Sequence, residues 1–177
     1  VATAAIRQSE NRDDIIQRVK DDLDLDVKII SGDQEATFGY EAAVHTISYY
    51  DAVTIDIGGG STELTFYEDK NLIYKKSLPF GVVTLKSMFF NDKEHNDKKA
   101  IKEVKKFVAE QFKKVNWLPG RNVPILAIGG SARNIARIHQ SLISYPIAGV
   151  HGYTMTRDNL QTVYKLLKST DVDDLDS

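Results

Sequence analysis

The run TIDIGGGSTELTFYEDK, residues 54–70, sets three glycines between an apolar strand and a pair of hydroxyl residues. Ile55 and Ile57 flank Asp56, so an extended chain puts the carboxylate near the strand end, on the face opposite the two isoleucines. Gly58, Gly59 and Gly60 are free to take positive φ and let an incoming group approach the main chain. Successive N–H groups in such a turn converge into a concave anion site. Ser61 and Thr62 add hydroxyl donors. Asp56 would repel a bare phosphate, which points to a magnesium ion or a water between them. An ordinary two-residue hairpin is served by Asn-Gly or Asp-Gly, so three glycines exceed what a turn needs. The chain runs on into a strand and no lysine follows, which separates this loop from the dinucleotide and Walker loops. The segment reads as a phosphate-and-metal constellation at the mouth of a β-hairpin.

Outward from that hairpin, three strands are predicted at 52–57, 61–68 and 72–81, with a turn at Asp69-Lys70-Asn71. The middle one alternates, Leu64 and Phe66 against Glu63, Thr65 and Tyr67. The first fifty residues read β-α-β-α. They comprise a short strand at 1–6, a helix capped by Asn11 and running to about Leu23, a strand at 27–31, and a helix from Asp33. Ile15, Ile16 and Val19 form the apolar stripe of the first helix. Beyond Gly81 come a short helix at 82–90, a long one from about Asn96 to Val115, and a buried strand at 123–130. A helix opens from its glycines, and a last helix at 157–168 is capped by Thr156. Two β-then-helical units, about 1–50 and 51–177, predict an α/β protein in two lobes.

Composition sets the outer bounds. The 177 residues are 42% apolar and 27% charged, enough for a real core. A net charge of −2 gives no global reason to expect nucleic acid. Cysteine is absent, which excludes disulfides, thiolate metal sites and cysteine nucleophiles. No apolar run approaches the ~20 residues of a membrane helix, so a cytoplasmic protein is expected. The chain opens without methionine and ends on a polar, acidic stretch, so a fragment of a longer protein is also expected.

Two further stretches carry candidate chemistry. In AIGGSARN, 127–134, a strand gives way to a helix, and Gly129, Gly130 and Ser131 would face an anionic group from the helix N-terminus, with Arg133 one turn in. A tight strand-to-helix turn with Ser131 as N-cap explains the same residues. In ISGDQEA, 30–36, Glu35 stands just inside a helix, the right kind of group to orient or deprotonate a water beside a phosphate. By itself it fits better as a complement to the helix dipole. His45, His95, His139 and His151 lack ligand spacing and read as structural or surface residues. Trp117, Tyr49 and Tyr50 read as packing, and the acidic stretch 171–176 as a solvated end.

ATAAIRQSEN, IISGDQEA, TIDIGGGSTEL and LAIGGSARNIARI, in this order and spacing, together resemble the exopolyphosphatase and guanosine pentaphosphate phosphohydrolase (Ppx/GppA) family. The resemblance runs from Val1 to about Leu167. It implies the fold of the actin, sugar kinase and Hsp70-chaperone superfamily, two ribonuclease-H-like lobes around a phosphate cleft, with the end of lobe one and most of lobe two present here. It also implies roles. Glu35 matches the glutamate that activates the attacking water, and Asp56 the acidic residue near the magnesium and the water, with both as candidate metal-side groups. Gly58, Gly59, Gly60, Ser61 and Thr62 match the loop that holds phosphate oxygens, and Arg7 an arginine of the cleft. Gly129, Gly130 and Ser131 match a later glycine turn that nucleotide binders of the superfamily place by adenosine. Two departures stand out. Gln34-Glu35 replaces two adjacent acidic residues, and the family's first phosphate loop, an aspartate-glycine-serine hairpin, is not found in this chain.

The implied activity is magnesium-assisted hydrolysis of polyphosphate or of guanosine penta- or tetraphosphate, weak or absent in this stretch alone, with a homodimer as a partner state. The alternative is a nucleotide-binding regulatory or chaperone-like member of the same superfamily that leaves polyphosphate alone. The lysine-rich helix, with Lys98, Lys99, Lys102, Lys105, Lys106, Lys113 and Lys114, reads chiefly as a solvated face, though a polyphosphate chain would fit along it.

Overall fold

The computed structural model describes residues 1–91 and 97–170. His95, the expected helix start at Asn96 and the acidic stretch 171–176 lie outside the described residues. The chain divides into two compact units, Val1–Ile128 and Gly129–Ser177.

The first unit is built on a four-stranded sheet in the order β3-β2-β1-β4. Its strands are β1 (Ala52–Ile57), β2 (Thr62–Glu68), β3 (Asn71–Leu78) and β4 (Ile125–Ile128). The first three form an antiparallel meander, and β4 joins β1 in parallel after a helical crossover. The turn between β2 and β3 is closed by Asp69 and Lys70, both at positive φ (48° and 59°), the twist that a two-residue hairpin prefers.

Both faces of the sheet are covered. On one lie Val53, Leu64, Phe66 and Leu78, packed with Phe80 and Val115, and with Phe107, Val108 and Phe112. Those last three belong to α5 (Lys98–Phe112), which follows the short α4 (Val82–Phe89) and opens with Asp97 accepting from the Ala100 N–H. The lysines of α5 are exposed, as an amphipathic helix requires. Trp117 stacks on Tyr74 at 5.6 Å, as a packing residue would. On the other face lies α3 (Gly32–Thr46), with Tyr40 against Tyr67 and Lys75 Nζ donating to Thr37 Oγ1. Its start is fixed by a capping box between Ser31 and Gln34.

Several expectations are corrected. β2 is buried throughout from Thr62 to Tyr67, so the alternating set Glu63, Thr65 and Tyr67 lies on the α3 side away from water. The two N-terminal strands reduce to a single parallel bridge, Ala2 with Ile29, and residues expected in the first strand instead form α1 (Ala4–Arg7). Among the described residues no further strand pairs with this bridge to extend the ladder. The helix α2 (Arg12–Leu23) forms, but Asn11 makes no side-chain cap and none of its residues is fully buried. β4 is partly exposed, Ile125 at 67%, because among the described residues nothing pairs with its outer edge.

The second unit contains α6 (Gly130–Leu142) and α7 (Arg157–Ser169), which pack on each other. His139 is buried, with Nδ1 2.6 Å from the Tyr153 hydroxyl, and Gln140 Nε2 donates to the Gly149 carbonyl.

Candidate active site

The register of the meander assembles the site. The hairpin closes around the glycines with Ile57 opposite Thr62, which places Asp56 directly opposite Glu63, and Glu63 in turn opposite Ser77. Side chains at paired positions share a face. Asp56, Glu63 and Ser77 therefore make a polar row across three strands, on the α3 side of the sheet, at the end where the glycine loop emerges.

Glu63 is 3% exposed. Ser77 Oγ donates to its Oε1 at 2.7 Å, and the Ser61 hydroxyl bonds it as well. Burial pushes its carboxyl above the usual range, the nearby Glu35 and Asp56 add to that shift, and the two serines oppose it. Sequence reading missed this residue, because its position in an alternating strand suggested an outward polar side chain.

Glu35 comes from the first turn of α3. Its Oε2 accepts from Arg7 Nη1 at 3.2 Å, and the same nitrogen donates to the Ile30 carbonyl at 2.7 Å. Arg7, expected on phosphate, is thus tied to the glutamate and to the chain just before α3. It also lines a cleft of about 320 Å³ shared with Gln8, Ser31, Gly32, Asp33, Ser61, Ser77 and Pro79. The orientation of the candidate base is consequently fixed by a helix four residues long on the other side of that cleft.

The loop itself differs from expectation in one respect. None of Gly58, Gly59 and Gly60 has positive φ; among the described residues the glycines that do are Gly120, Gly129 and Gly152. The reason for bare residues is space. A Cβ on Gly60 would lie 3.0 Å from that of Ala4, and one on Gly58 would lie 3.3 Å from the Ser61 carbonyl oxygen. Gly58 N–H closes the hairpin onto Ser61 O, while the carbonyls of Gly58 and Gly59 accept from Val82, Val83 and Thr84 at the start of α4. Among the described residues the N–H groups of Gly59 and Gly60 donate to no protein acceptor. Those two donors are available to an anion.

The hydroxyl pair divides its work. Ser61 turns to Glu63, whereas Thr62, expected as a phosphate donor, gives its proton to the Phe80 carbonyl at 2.7 Å inside the core. The reason is register: Thr62 is the first residue of β2 and points to the α5 side. Gly129, at φ 95°, precedes α6, with Gly130 and Ser131 its first residues, all in the second unit. Ser131 is not the N-cap; that position is Gly129.

The donor set around the row is oxygen only, which suits a hard cation. Among the described residues no three acidic or imidazole groups form a ready cage. Carboxylates of this kind fit magnesium shared with water and phosphate oxygens. Among the described residues, no helix is long and apolar enough to cross a membrane.

The chain is similar to proteins of known structure. The chain is 27% identical to the Ppx/GppA family member of Aquifex aeolicus, whose crystal structure superimposes with a TM-score of 0.77 over 98% of this chain and 56% of that one. An exopolyphosphatase from Cytophaga hutchinsonii, at 19% identity, has the same fold, with a TM-score of 0.80 over 97% of this chain and 57% of that one. A bifunctional 3-dehydroquinate synthase/phosphatase of Fusobacterium nucleatum is 29% identical over 99% of this chain and 28% of its own length. The chain thus spans a little over half of these solved structures and under a third of that relative. The mixed α/β sheet belongs to the fold of these solved structures, and the model of the Ppx/GppA phosphatase family matches residues 1–175: the chain belongs to that family.

Proposed function

We propose that the chain carries the water-activating side of a phosphoanhydride hydrolase that releases phosphate from inorganic polyphosphate or guanosine pentaphosphate. The observation behind this reading is the convergence of Glu35 with the Asp56–Glu63 pair at the glycine loop, where two main-chain donors are available. Phosphoryl transfer to water asks for charge neutralisation and an aligned nucleophile, with little covalent work for the protein. Glu35 accepts the proton of the attacking water as its oxygen bonds to the terminal phosphorus and the bridging P–O bond breaks. Arg7 keeps that carboxylate from swinging. The Gly59 and Gly60 N–H groups hold non-bridging oxygens where charge develops. Asp56 and Glu63 are the residues that would hold magnesium, which when bound neutralises the phosphoryl oxygens.

The test is phosphate release from long-chain polyphosphate, and from guanosine pentaphosphate, by the intact natural protein with magnesium. Glu35→Gln is expected to lower kcat by about 10²–10⁴-fold with KM little changed. A Glu35→Gln protein that keeps its kcat would overturn the assignment of the base.

A further inference from the structure

The polar row extends past the two carboxylates. Ser77 closes β3 and holds Glu63 Oε1 through its hydroxyl. Its other side meets α3: a Cβ on Gly32 would lie 2.3 Å from Ser77 Oγ and 2.5 Å from Ser77 Cβ. Residue 32 must be bare for the first turn of α3 to settle on the strand. Gly32 opens that helix, and Glu35 follows within the same turn. A single serine therefore touches both sources of acidic chemistry, Glu63 on the sheet and the helical turn that presents Glu35.

We infer that Ser77 is a positioning residue: its hydroxyl fixes the orientation of Glu63, and its fit beneath Gly32 fixes the height at which α3 presents Glu35. The kinetic consequence rests on the hydrolase reading above, while the geometric one does not. Glu63 has two side-chain donors, Ser61 from the loop just before its strand and Ser77 from the next strand, and together they hold the carboxylate in place. Removal of Ser77 Oγ frees one oxygen to turn about the terminal torsion, which is broad for a carboxylate. Small displacements of a positioned group cost rate without costing affinity. Ser77 acts through Glu63 and α3, so its loss belongs in kcat.

Ser77→Ala and Gly32→Ala in the intact natural protein test this with two readouts. One is the kinetics of phosphate release. The other is the ¹³C resonance of the Glu63 side-chain carboxyl, assigned by its disappearance in Glu63→Gln. Ser77→Ala is expected to shift that resonance and to lower kcat about tenfold with KM within about twofold. Gly32→Ala, whose hydroxyl network is chemically intact, is expected to shift the same resonance by displacing Ser77. A resonance unmoved in both variants overturns the inference, and so does a shifted resonance with kcat unchanged or with the loss confined to KM. If the wild-type protein releases phosphate from neither substrate, the hydrolase reading falls by itself. The carboxyl resonance then decides the positioning on its own.

Discussion

Glu63 carries an unusual load for a single residue. It is nearly sealed from solvent, and burial above all, with Glu35 and Asp56 adding to it, raises its proton affinity over the ordinary value of 4.5. A carboxyl whose folded-state pKa lies above its unfolded one stabilises the fold in its protonated form. That contribution is complete below about pH 4.5 and is lost as pH rises through the raised value. Glu63→Gln, a neutral group of the same shape, is therefore expected to melt above the wild type at pH 8, by roughly 2–4 °C, with the gap closing toward pH 4. Thermal melts across that range check it, and the same variant should release little phosphate. Asp56 was singled out by its glycine loop and Glu35 by the family resemblance, and the structure brings both near Glu63. Glu63 was not read, although the hairpin held the clue. Once 57 pairs with 62, residue 56 must face 63, and a strand buried on both faces turns that glutamate inward.

At the scale of elements, the glycine loop and α4 form one piece. The loop offers its carbonyls to the first N–H groups of the helix, and Gly81 permits the approach. A Cβ there would stand 2.3 Å from the Gly58 carbonyl oxygen. That obstacle is backbone, which cannot rotate aside. Gly81→Ala is expected to cost about 1–3 kcal/mol in urea unfolding and to raise KM for the phosphate substrate by displacing the loop. A variant with an unchanged midpoint would show that the loop yields. Sequence patterning found α2 to α7 and the three meander strands, because their periodicities are clean. It overread the N-terminal strands, where among the described residues the stretch 27–31 pairs only through the Ala2–Ile29 bridge. It also attributed to positive φ what belongs to crowding, since composition reveals glycines but not what stands beside them.

For the whole molecule, burial ranks the elements. From Thr62 to Tyr67 β2 has no exposed residue and lies between two paired neighbours, whereas α2 buries none of its residues fully. Hydrogen exchange is expected to be slowest in β2, opening only with global unfolding, and faster in α2. Peptide-level exchange that protects both alike would contradict this ranking. The α/β class was legible in the alternation of strand and helix patterns, whereas the sheet order β3-β2-β1-β4 appears only in the structure. In sequence α3 looks like the close of one lobe, and in space it packs on the sheet. The seat that Gly81 provides has a bearing on how such loops are recognised. The signature of this loop is discontinuous: three contiguous glycines make it open, and a fourth, one hairpin away, makes it stiff. A chain that kept DIGGGST but lost the glycine before the next helix would still match the motif while holding a hinge where this protein holds a mould.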